Sequence, residues 1–355
     1  MDMRWNFIML VLGICFQVQA QEIDYQFRNL SVENGLNHTD ATCIGQDHTG
    51  FIWIGTYNGL NRFDGYELKS YRNNDQSANN VYANRIADLY IDAADRIWLG
   101  TEAGVACFDP RLESFIPLDH IDLDDPYLLT RNIKAIYYDS RGYVFTGGKN
   151  GIVVYQLINR RQLRYIPLDR KGLGIDGVCN NIDADSEGRI WFSTTKGMVC
   201  AQKQGDSFSF QPVALNQAGD QEVTDLAFTV AGDLAAATRN GVFVVDRHSI
   251  SKLLEYGYRS GEGRYFPIPA SEKWAHSIVI DHQSRLWLGM QNGIIQINTT
   301  QTQPAYKYYW EADQPDRYHL SSGNTTELFV DRDNGLWIGT FEGGVNYADL
   351  NQKAF

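Results

Sequence analysis

The sequence predicts an all-β protein, a seven-bladed β-propeller with four-stranded blades. The main observation is a motif that returns seven times, at a spacing of about 47 residues that is typical of propeller blades. Composition agrees, because aromatic residues make up 13% of the chain and 32 glycines accompany only 9 prolines. Such a profile favours many short strands joined by tight turns. The seven copies are centred on Trp53, Trp98, Phe145, Trp191, Ala235, Trp287 and Trp337.

Each copy of the motif contains four short apolar segments separated by turn residues. In the first copy, Asn58-Gly59 follows the second segment, and this dipeptide suits a two-residue hairpin because both residues tolerate positive φ. One such sheet cannot bury both of its faces, so neighbouring sheets must stack around a common axis. The strands predicted for the first blade are 41–46, 51–56, 60–63 and 67–71.

The two ends of the repeat array predict how the ring closes. The seventh copy contains only three strands, at 328–330, 336–340 and 345–347. One unassigned strand precedes the first copy, at about residues 24–30. We expect this N-terminal strand to complete the seventh blade, since pairing the two ends of the chain removes an exposed sheet edge.

Residues 1–20 have the features of a secretory signal peptide. One arginine precedes an apolar run over residues 7–16, and small residues follow where a signal peptidase reads. The run is too short to span a bilayer permanently. We therefore expect cleavage after Ala20, one propeller over residues 21–355 and a periplasmic location. A membrane tether is expected only if the chain continues beyond Phe355.

Charge and motifs exclude several classes of function. The formal net charge is −12 and the isoelectric point is near 5.0, whereas a protein that binds nucleic acid needs a basic face. The sequence contains no Gly-x-Ser-x-Gly elbow, no His-Glu-x-x-His motif and no glycine-rich phosphate loop. No catalytic residue, metal site or cofactor is therefore predicted.

Four cysteines remain after the expected cleavage: Cys43, Cys107, Cys179 and Cys200. An even number in an oxidising compartment suggests disulfides. The strand positions of these cysteines argue against disulfides. Cys179 and Cys200 lie on the first and third strands of one blade, and two strand spacings of about 9–10 Å exceed the Cα separation that a disulfide tolerates. We predict four free thiols.

The motif I-x-x-D-x-x-G-x-I-W-I-G-T-x-x-G-L-x-R-F-D, complete in residues 44–64, resembles the two-component regulator propeller repeat. The segment 27–36 also resembles the usual start of that family, whose propellers form the periplasmic sensor region of hybrid two-component systems. The resemblance implies an oligosaccharide ligand, a second propeller and a membrane kinase region as partners. Kinase, receiver and DNA-binding functions are not carried over, because no residue of this chain corresponds to them.

Two sets of repeated residues have structural interpretations. Six aspartates open the first turn of a blade, and we expect each carboxylate to accept backbone N–H groups within its own turn instead of binding a metal. The five repeated tryptophans are expected to pack between blades and not to stack on sugars. Ala235 replaces the aromatic residue in blade five, which is expected to pack more loosely. The six aspartates are Asp47, Asp92, Asp139, Asp185, Asp281 and Asp331.

Candidate binding residues are those that break the repeat at one end of the ring. The connections into the innermost strands and the turns between second and third strands should share one face. The face mixes cations, amides and aromatic rings, which suits sugar hydroxyls and uronate carboxylates. The candidates are Tyr57, Arg85, Arg131, Lys149, Lys196, Arg239, Trp274, His276 and Gln291.

These observations favour a non-catalytic periplasmic sensor that detects glycan fragments and takes part in regulating polysaccharide use. Two alternatives remain at this point. One is a propeller lyase acting on a polysaccharide or lactone, with His276 or His38 near the axis. The other is an interaction platform whose loop face contacts a second propeller or a second copy of the chain in a homodimer.

Overall fold

Seven antiparallel sheets follow one another in chain order around a central axis, as the repeat count predicts. The innermost strands of neighbouring sheets contact each other, and the first sheet meets the last. The predicted seven-bladed propeller is confirmed. In this computed structural model the described residues are 25–72, 84–121, 132–166, 168, 177–205, 207–213, 215, 222–256, 263–268, 274–299, 304–310 and 319–352.

The first three blades contain the strands numbered below from the axis outward. Blade 1 consists of β2 (Ala41–Gln46), β3 (Ile52–Thr56), β4 (Gly59–Phe63) and β5 (Leu68–Tyr71). Blade 2 consists of β6 (Ile86–Ile91), β7 (Ile97–Thr101), β8 (Gly104–Asp109) and β9 (Ser114–Ile116). Blade 3 consists of β11 (Ile133–Asp139), β12 (Tyr143–Gly148), β13 (Gly151–Ile158) and β14 (Gln162–Ile166).

The next three blades repeat this order. Blade 4 consists of β15 (Cys179–Ala184), β16 (Ile190–Thr194), β17 (Gly197–Gln204) and β18 (Ser207–Val213). Blade 5 consists of β19 (Val223–Phe228), β20 (Leu234–Thr238), β21 (Gly241–Val245) and β22 (Gly263–Pro267). Blade 6 consists of β23 (Ala275–Ile280), β24 (Leu286–Met290), β25 (Gly293–Asn298) and β26 (Ala305–Trp310).

Blade 7 joins the two ends of the described chain. It consists of β27 (Thr325–Val330), β28 (Gly335–Thr340), β29 (Gly344–Asp349) and the N-terminal β1 (Arg28–Leu30). Strand β1 pairs antiparallel with β29, with Asn29 opposite Asn346. The predicted ring closure is confirmed, although β1 is shorter than the expected strand because residues 25–27 are not paired in the sheet.

Two elements depart from the regular blade and were not predicted. Strand β10 (Asp119–Ile121) lies parallel to β14 and widens blade 3 to five strands. Helix α1 (Ile250–Tyr256) follows the third strand of blade 5. Ile250 and Leu253 of this helix are buried and pack in one cluster with Trp191 and Ala236. The helix therefore packs toward blade 4, on the face of blade 5 opposite to Ala235, whose side chain lies in the cluster shared with blade 6.

The repeated aspartates and tryptophans have the structural roles that the sequence predicts, and they are joined to each other. Asp47 Oδ1 accepts backbone N–H groups of Thr49 and Phe51, both at 3.0 Å. Its Oδ2 atom accepts the indole N–H of Trp53 at 2.8 Å. The indole is fully buried, so the carboxylate satisfies its only polar group. The same indole–carboxylate bond recurs at Trp98, Trp191, Trp287 and Trp337.

The four described cysteines are buried free thiols, as predicted. Burial raises the pKa of Cys43, Cys107 and Cys179, and raises that of Cys200 to about 12. Thiolate is the reactive form, so the folded protein should label slowly. Labelling of denatured, unreduced protein is expected to count four thiols in the mature chain; a count of two or zero would contradict the strand placement.

Candidate functional site

The end of the ring at which the innermost strands begin holds an open cavity of about 730 Å³. This is the face on which the sequence places the variable loops, and most of its lining residues have polar or charged side chains. It is lined by Thr42, Tyr57, Arg85, Ala87, Glu102, Asn132, Ile133, Lys134, Lys149, Asn180, Glu222, Thr224, Trp274, His276, Asn324, Thr325 and Thr326.

A β-bulge in every innermost strand builds the wall of this cavity. In all seven, the pairing register shifts between the first and third residues, which leaves the second residue unpaired. A bulge re-aims a side chain, and each of these second residues lines the cavity. The seven are Thr42, Ala87, Lys134, Asn180, Thr224, His276 and Thr326. One scaffold position thus presents hydroxyl, amide, imidazole and ammonium groups around one axis.

The residues that immediately precede the innermost strands form the rim. Among them, Asn132 and Trp274 have φ angles of 61° and 76°. A left-handed backbone is costly for a bulky residue such as tryptophan, and strain of this kind is concentrated at ligand-binding and active sites. Trp274 also keeps 41% of its surface exposed, unlike the buried tryptophans of the repeat. Its strain and exposure distinguish it as a candidate contact residue.

The side chain of Trp274 is held by a charged pair. The guanidinium of Arg239 lies 3.9 Å from the centre of a Trp274 ring, a cation–π distance. Arg239 Nε in turn donates to Glu222 Oε2 at 2.8 Å, and the two side chains form an ion pair. These contacts orient the exposed indole before any ligand arrives.

A second group of side chains lies on blades 1 to 3. The Arg85 guanidinium lies 3.8 Å from the centre of the Tyr57 ring. A hydrogen bond with Tyr57, and to a lesser extent the charge of Glu102, raises the pKa of Arg85. Lys134 and Lys149 add two exposed ammonium groups from blade 3. On blade 6, burial within the ring lowers the pKa of His276, which favours a neutral imidazole that both donates and accepts hydrogen bonds.

Beyond the bulges, four carboxyl groups lie on the innermost strands: Asp88, Asp183, Asp225 and Glu327. Asp88 Oδ2 accepts the N–H of Ile136 in the next blade at 2.7 Å. Asp225 Oδ2 accepts the N–H of Ile278 in the same way, also at 2.7 Å. Burial raises the pKa of all four groups, to about 7 for Asp88 and Asp183. Among the described residues, no cluster of three or more His, Cys, Asp or Glu has the geometry to hold a metal ion.

These carboxyl groups predict how stability depends on pH. Because the pKa of Asp88 is about 7 in the folded state and near 3.8 in the unfolded chain, the folded state binds more protons between these values. The free energy of unfolding should therefore fall as pH rises from about 4 to 7 and then level off. Asp88→Asn should reduce this fall by about 1–4 kcal/mol.

Denaturant unfolding at pH 5 and pH 8 measures this effect. The control is Asp64→Asn, because hydrogen bonds to the N–H groups of Glu67 and Tyr66 lower the pKa of the exposed Asp64. The carboxyl group of Asp64 titrates below pH 5. The change in the free energy of unfolding between pH 5 and pH 8 should therefore be the same in Asp64→Asn as in the parent protein. An unchanged pH dependence in Asp88→Asn would show that this carboxyl group ionises normally.

The structure brings together five of the candidates named from sequence: Tyr57, Arg85, Lys149, Trp274 and His276 all line the cavity. Arg239 lies behind Trp274 and orients it. Lys196 and Gln291 occupy equivalent turns but do not line the cavity. Arg131 lies outside the described residues. Sequence reasoning missed the remaining bulge residues, Lys134 and Asn180 among them, although their fixed offset within the repeat could have indicated them.

Comparison with known families tests the sequence resemblance. Residues 35–58 match the family model described as "Two component regulator propeller". This match confirms the resemblance. Over 74 residues, 21% of this chain, the sequence is also 32% identical to "Histidine kinase P4" of Formosa agariphila. The matched segment covers only 5% of the length of that protein.

Solved structures with the same fold come from proteins of different activity. The extracellular domain of BT4673 of B. thetaiotaomicron, described as a hybrid two component system, has a TM-score of 0.71 at 20% identity, over 93% of this chain and 40% of that one. The corresponding domain of BT3049 scores 0.70 at 20% identity, over 91% and 42%. Virginiamycin B lyase of Staphylococcus aureus scores 0.65 at 14% identity, over 92% and 99%. At these identities, the similarity establishes the fold.

No helix within the described part of the chain has the length and apolar character needed to cross a membrane.

Proposed function

We propose that this chain is a non-catalytic, ligand-binding sensor propeller that detects glycan fragments outside the cytoplasm. The observation that carries the proposal is the cavity, where the sevenfold scaffold presents seven side chains of five different kinds. A repeated scaffold requires only the same packing at equivalent positions of each blade. Different side chains at one such position around the axis are not needed for folding, and they favour recognition of a ligand. The match of residues 35–58 to the two-component regulator propeller model supports a sensor role.

The lining suits a saccharide better than an apolar ligand. Thr42, Thr224 and Asn180 place hydroxyl and amide groups on the wall, where each side chain donates a hydrogen bond to a backbone carbonyl. Their oxygen atoms retain lone pairs that can accept hydrogen bonds from sugar hydroxyls. Trp274 offers an exposed, oriented aromatic surface at the rim. Such a combination of one aromatic face with many neutral polar groups is suited to a pyranose ring, which has apolar C–H faces and a polar edge.

We further propose that residues 1–20 direct export and that residues 21–355 form the sensor module in the periplasm. The match covers 40% and 42% of the solved extracellular domains of the two-component systems of similar fold. A membrane kinase region, in the same or another chain, is the signalling partner that this proposal requires. Ligand binding in the cavity would then be relayed through contacts that the propeller makes with that partner.

Calorimetric titration of the mature protein with a panel of short neutral and acidic oligosaccharides tests the proposal. At least one sugar should bind saturably, and Trp274→Ala should weaken its binding by about 10-fold or more. Gln291→Ala is the matched control, because Gln291 is exposed on an equivalent turn outside the cavity lining. Both variants should change the free energy of unfolding by less than about 1 kcal/mol. If no sugar binds, or if the two variants behave alike, the cavity is not a glycan site.

The lyase alternative remains because virginiamycin B lyase has the same fold. Turnover of a bound oligosaccharide distinguishes a lyase from a sensor. Incubation of each binding oligosaccharide with the protein and added Mg²⁺ should leave the sugar intact if the chain is a sensor. Appearance of cleavage products that are lost in His276→Ala would instead assign a catalytic role to the cavity.

A further inference from the structure

Charge is distributed unevenly around the cavity. Three cationic side chains, Arg85, Lys134 and Lys149, belong to blades 2 and 3. One acidic side chain, Glu102, lies on the same side, whereas Glu222 on blade 5 is paired with Arg239. An excess of positive charge is therefore confined to one side of the mouth, in a chain whose formal net charge is −12.

Among the described residues, the two lysines of this group have no partner carboxylate. Neither Lys134 nor Lys149 forms an ion pair there, while Arg239, Arg189 and Arg285 each do. Lys134 projects from the bulge of β11, and Lys149 lies in the turn between β12 and β13 of the same blade. Two such ammonium groups beside the open cavity create a local positive potential that attracts anions.

The opposite side of the ring carries the exposed tryptophan. Trp274 and His276 belong to blade 6, which lies three blades from blade 3 in a ring of seven and therefore nearly across the axis. Arg239 covers one part of the Trp274 indole, and 41% of the side chain stays accessible. The cavity thus offers an anion site facing an aromatic platform.

We propose that the cavity selects an anionic saccharide, whose carboxylate or sulfate group lies against Lys134, Lys149 and Arg85 while a sugar ring packs on Trp274. The proposal rests on the glycan-binding function proposed above and specifies its substrate class. Asp88 and Glu327 follow the bulge residues by one position on their innermost strands, and burial there disfavours a negative charge and raises the pKa of both groups. The negative group is therefore held at the mouth.

The experiment compares ligands that differ only in charge. Oligogalacturonate and its carboxyl-reduced form make one pair, and a sulfated oligosaccharide and its desulfated form make the second. Each is titrated calorimetrically into the mature protein, the Lys134→Gln/Lys149→Gln double variant and Lys252→Gln. Lys252 is exposed on α1 and outside the cavity lining, so its variant controls for loss of net positive charge alone.

In at least one pair, the charged form should bind the parent protein about 10-fold or more tightly than the neutral form, since hydrogen bonds to charged groups are the stronger ones. The double variant should lose this preference and keep the affinity for the neutral form, and Lys252→Gln should retain the preference. The ligand pair that shows this preference identifies the bound anionic group as a carboxylate or a sulfate. Equal affinity for charged and neutral forms in both pairs would overturn the anion selectivity while leaving glycan binding intact. Absence of binding by all four ligands would overturn the selectivity, and absence of binding across the wider panel would overturn glycan sensing as well.

Discussion

Trp53→Ala is expected to lower the free energy of unfolding by about 3–5 kcal/mol, the usual cost of removing a buried aromatic side chain from a packed core. Trp53 is fully buried between blades 1 and 2, where its ring centre lies 5.7 Å from that of Phe108 and 5.8 Å from that of Tyr71. The substitution also removes the indole N–H from Asp47 Oδ2. A buried carboxylate without this donor adds to the loss.

Two companion variants separate packing from hydrogen bonding. Trp53→Phe retains most of the ring volume and loses the indole N–H, so it should cost about 1–3 kcal/mol. Trp274→Ala removes an exposed tryptophan and should cost less than about 1 kcal/mol. Chemical denaturation of the three variants measures the differences. A Trp53→Ala protein that unfolds at the parent denaturant concentration would contradict the packing role of the repeated tryptophans.

Deletion of residues 25–30 is expected to have an effect at least as large, because it removes the fourth strand of blade 7. Tyr25 and Phe27 are buried beside Tyr309, and the hydroxyl group of Tyr25 accepts a hydrogen bond from Arg285 at 2.6 Å. Strand β29 would then present an unpaired edge. We expect a sharply lower melting temperature and concentration-dependent aggregation.

The control for this deletion alters an exposed side chain of the same segment. Arg28 is exposed, and its main chain supplies pairing with β29. Arg28→Ala should therefore lower the melting temperature only slightly, whereas Tyr25→Ala/Phe27→Ala should reproduce most of the instability. Light scattering and thermal unfolding measure both effects. A truncated protein that stays monomeric with the parent melting temperature would show that the ring does not depend on β1.

Much of the fold was predictable because it depends on short-range sequence periodicity. The spacing of Asp47 and Trp53, repeated along the chain, specifies a turn, a strand and a buried ring in every blade except blade 5, where Thr229 and Ala235 occupy these positions. The seventh repeat lacked a fourth strand, and the N-terminal strand had no blade of its own. Pairing between the two ends of the chain followed from these two observations. Strand β10 and helix α1 were not predicted, since they lie in connections that do not repeat and are placed by packing against a neighbouring blade.

The candidate site was also predictable from the sequence only in part. Sequence comparison between repeats identified the variable face and, on it, residues such as Arg85, Trp274 and His276. It could not identify Lys134, because the β-bulge that turns this side chain into the cavity arises from the pairing of β11 with β12. The stacking of Arg239 on Trp274 likewise depends on how blades 5 and 6 meet.

By itself, the sequence determined the number of blades, the closure of the ring and the structural roles of the repeated aspartates and tryptophans. These features follow from the spacing of residues within one repeat, and that spacing recurs along the chain. Only the tertiary structure decided which side chains share the cavity and which carboxyl groups approach one another on the innermost strands. Asp88 and Glu327 belong to blades 2 and 7 and lie far apart in the sequence, and they come near each other only because the closed ring brings all innermost strands around one axis.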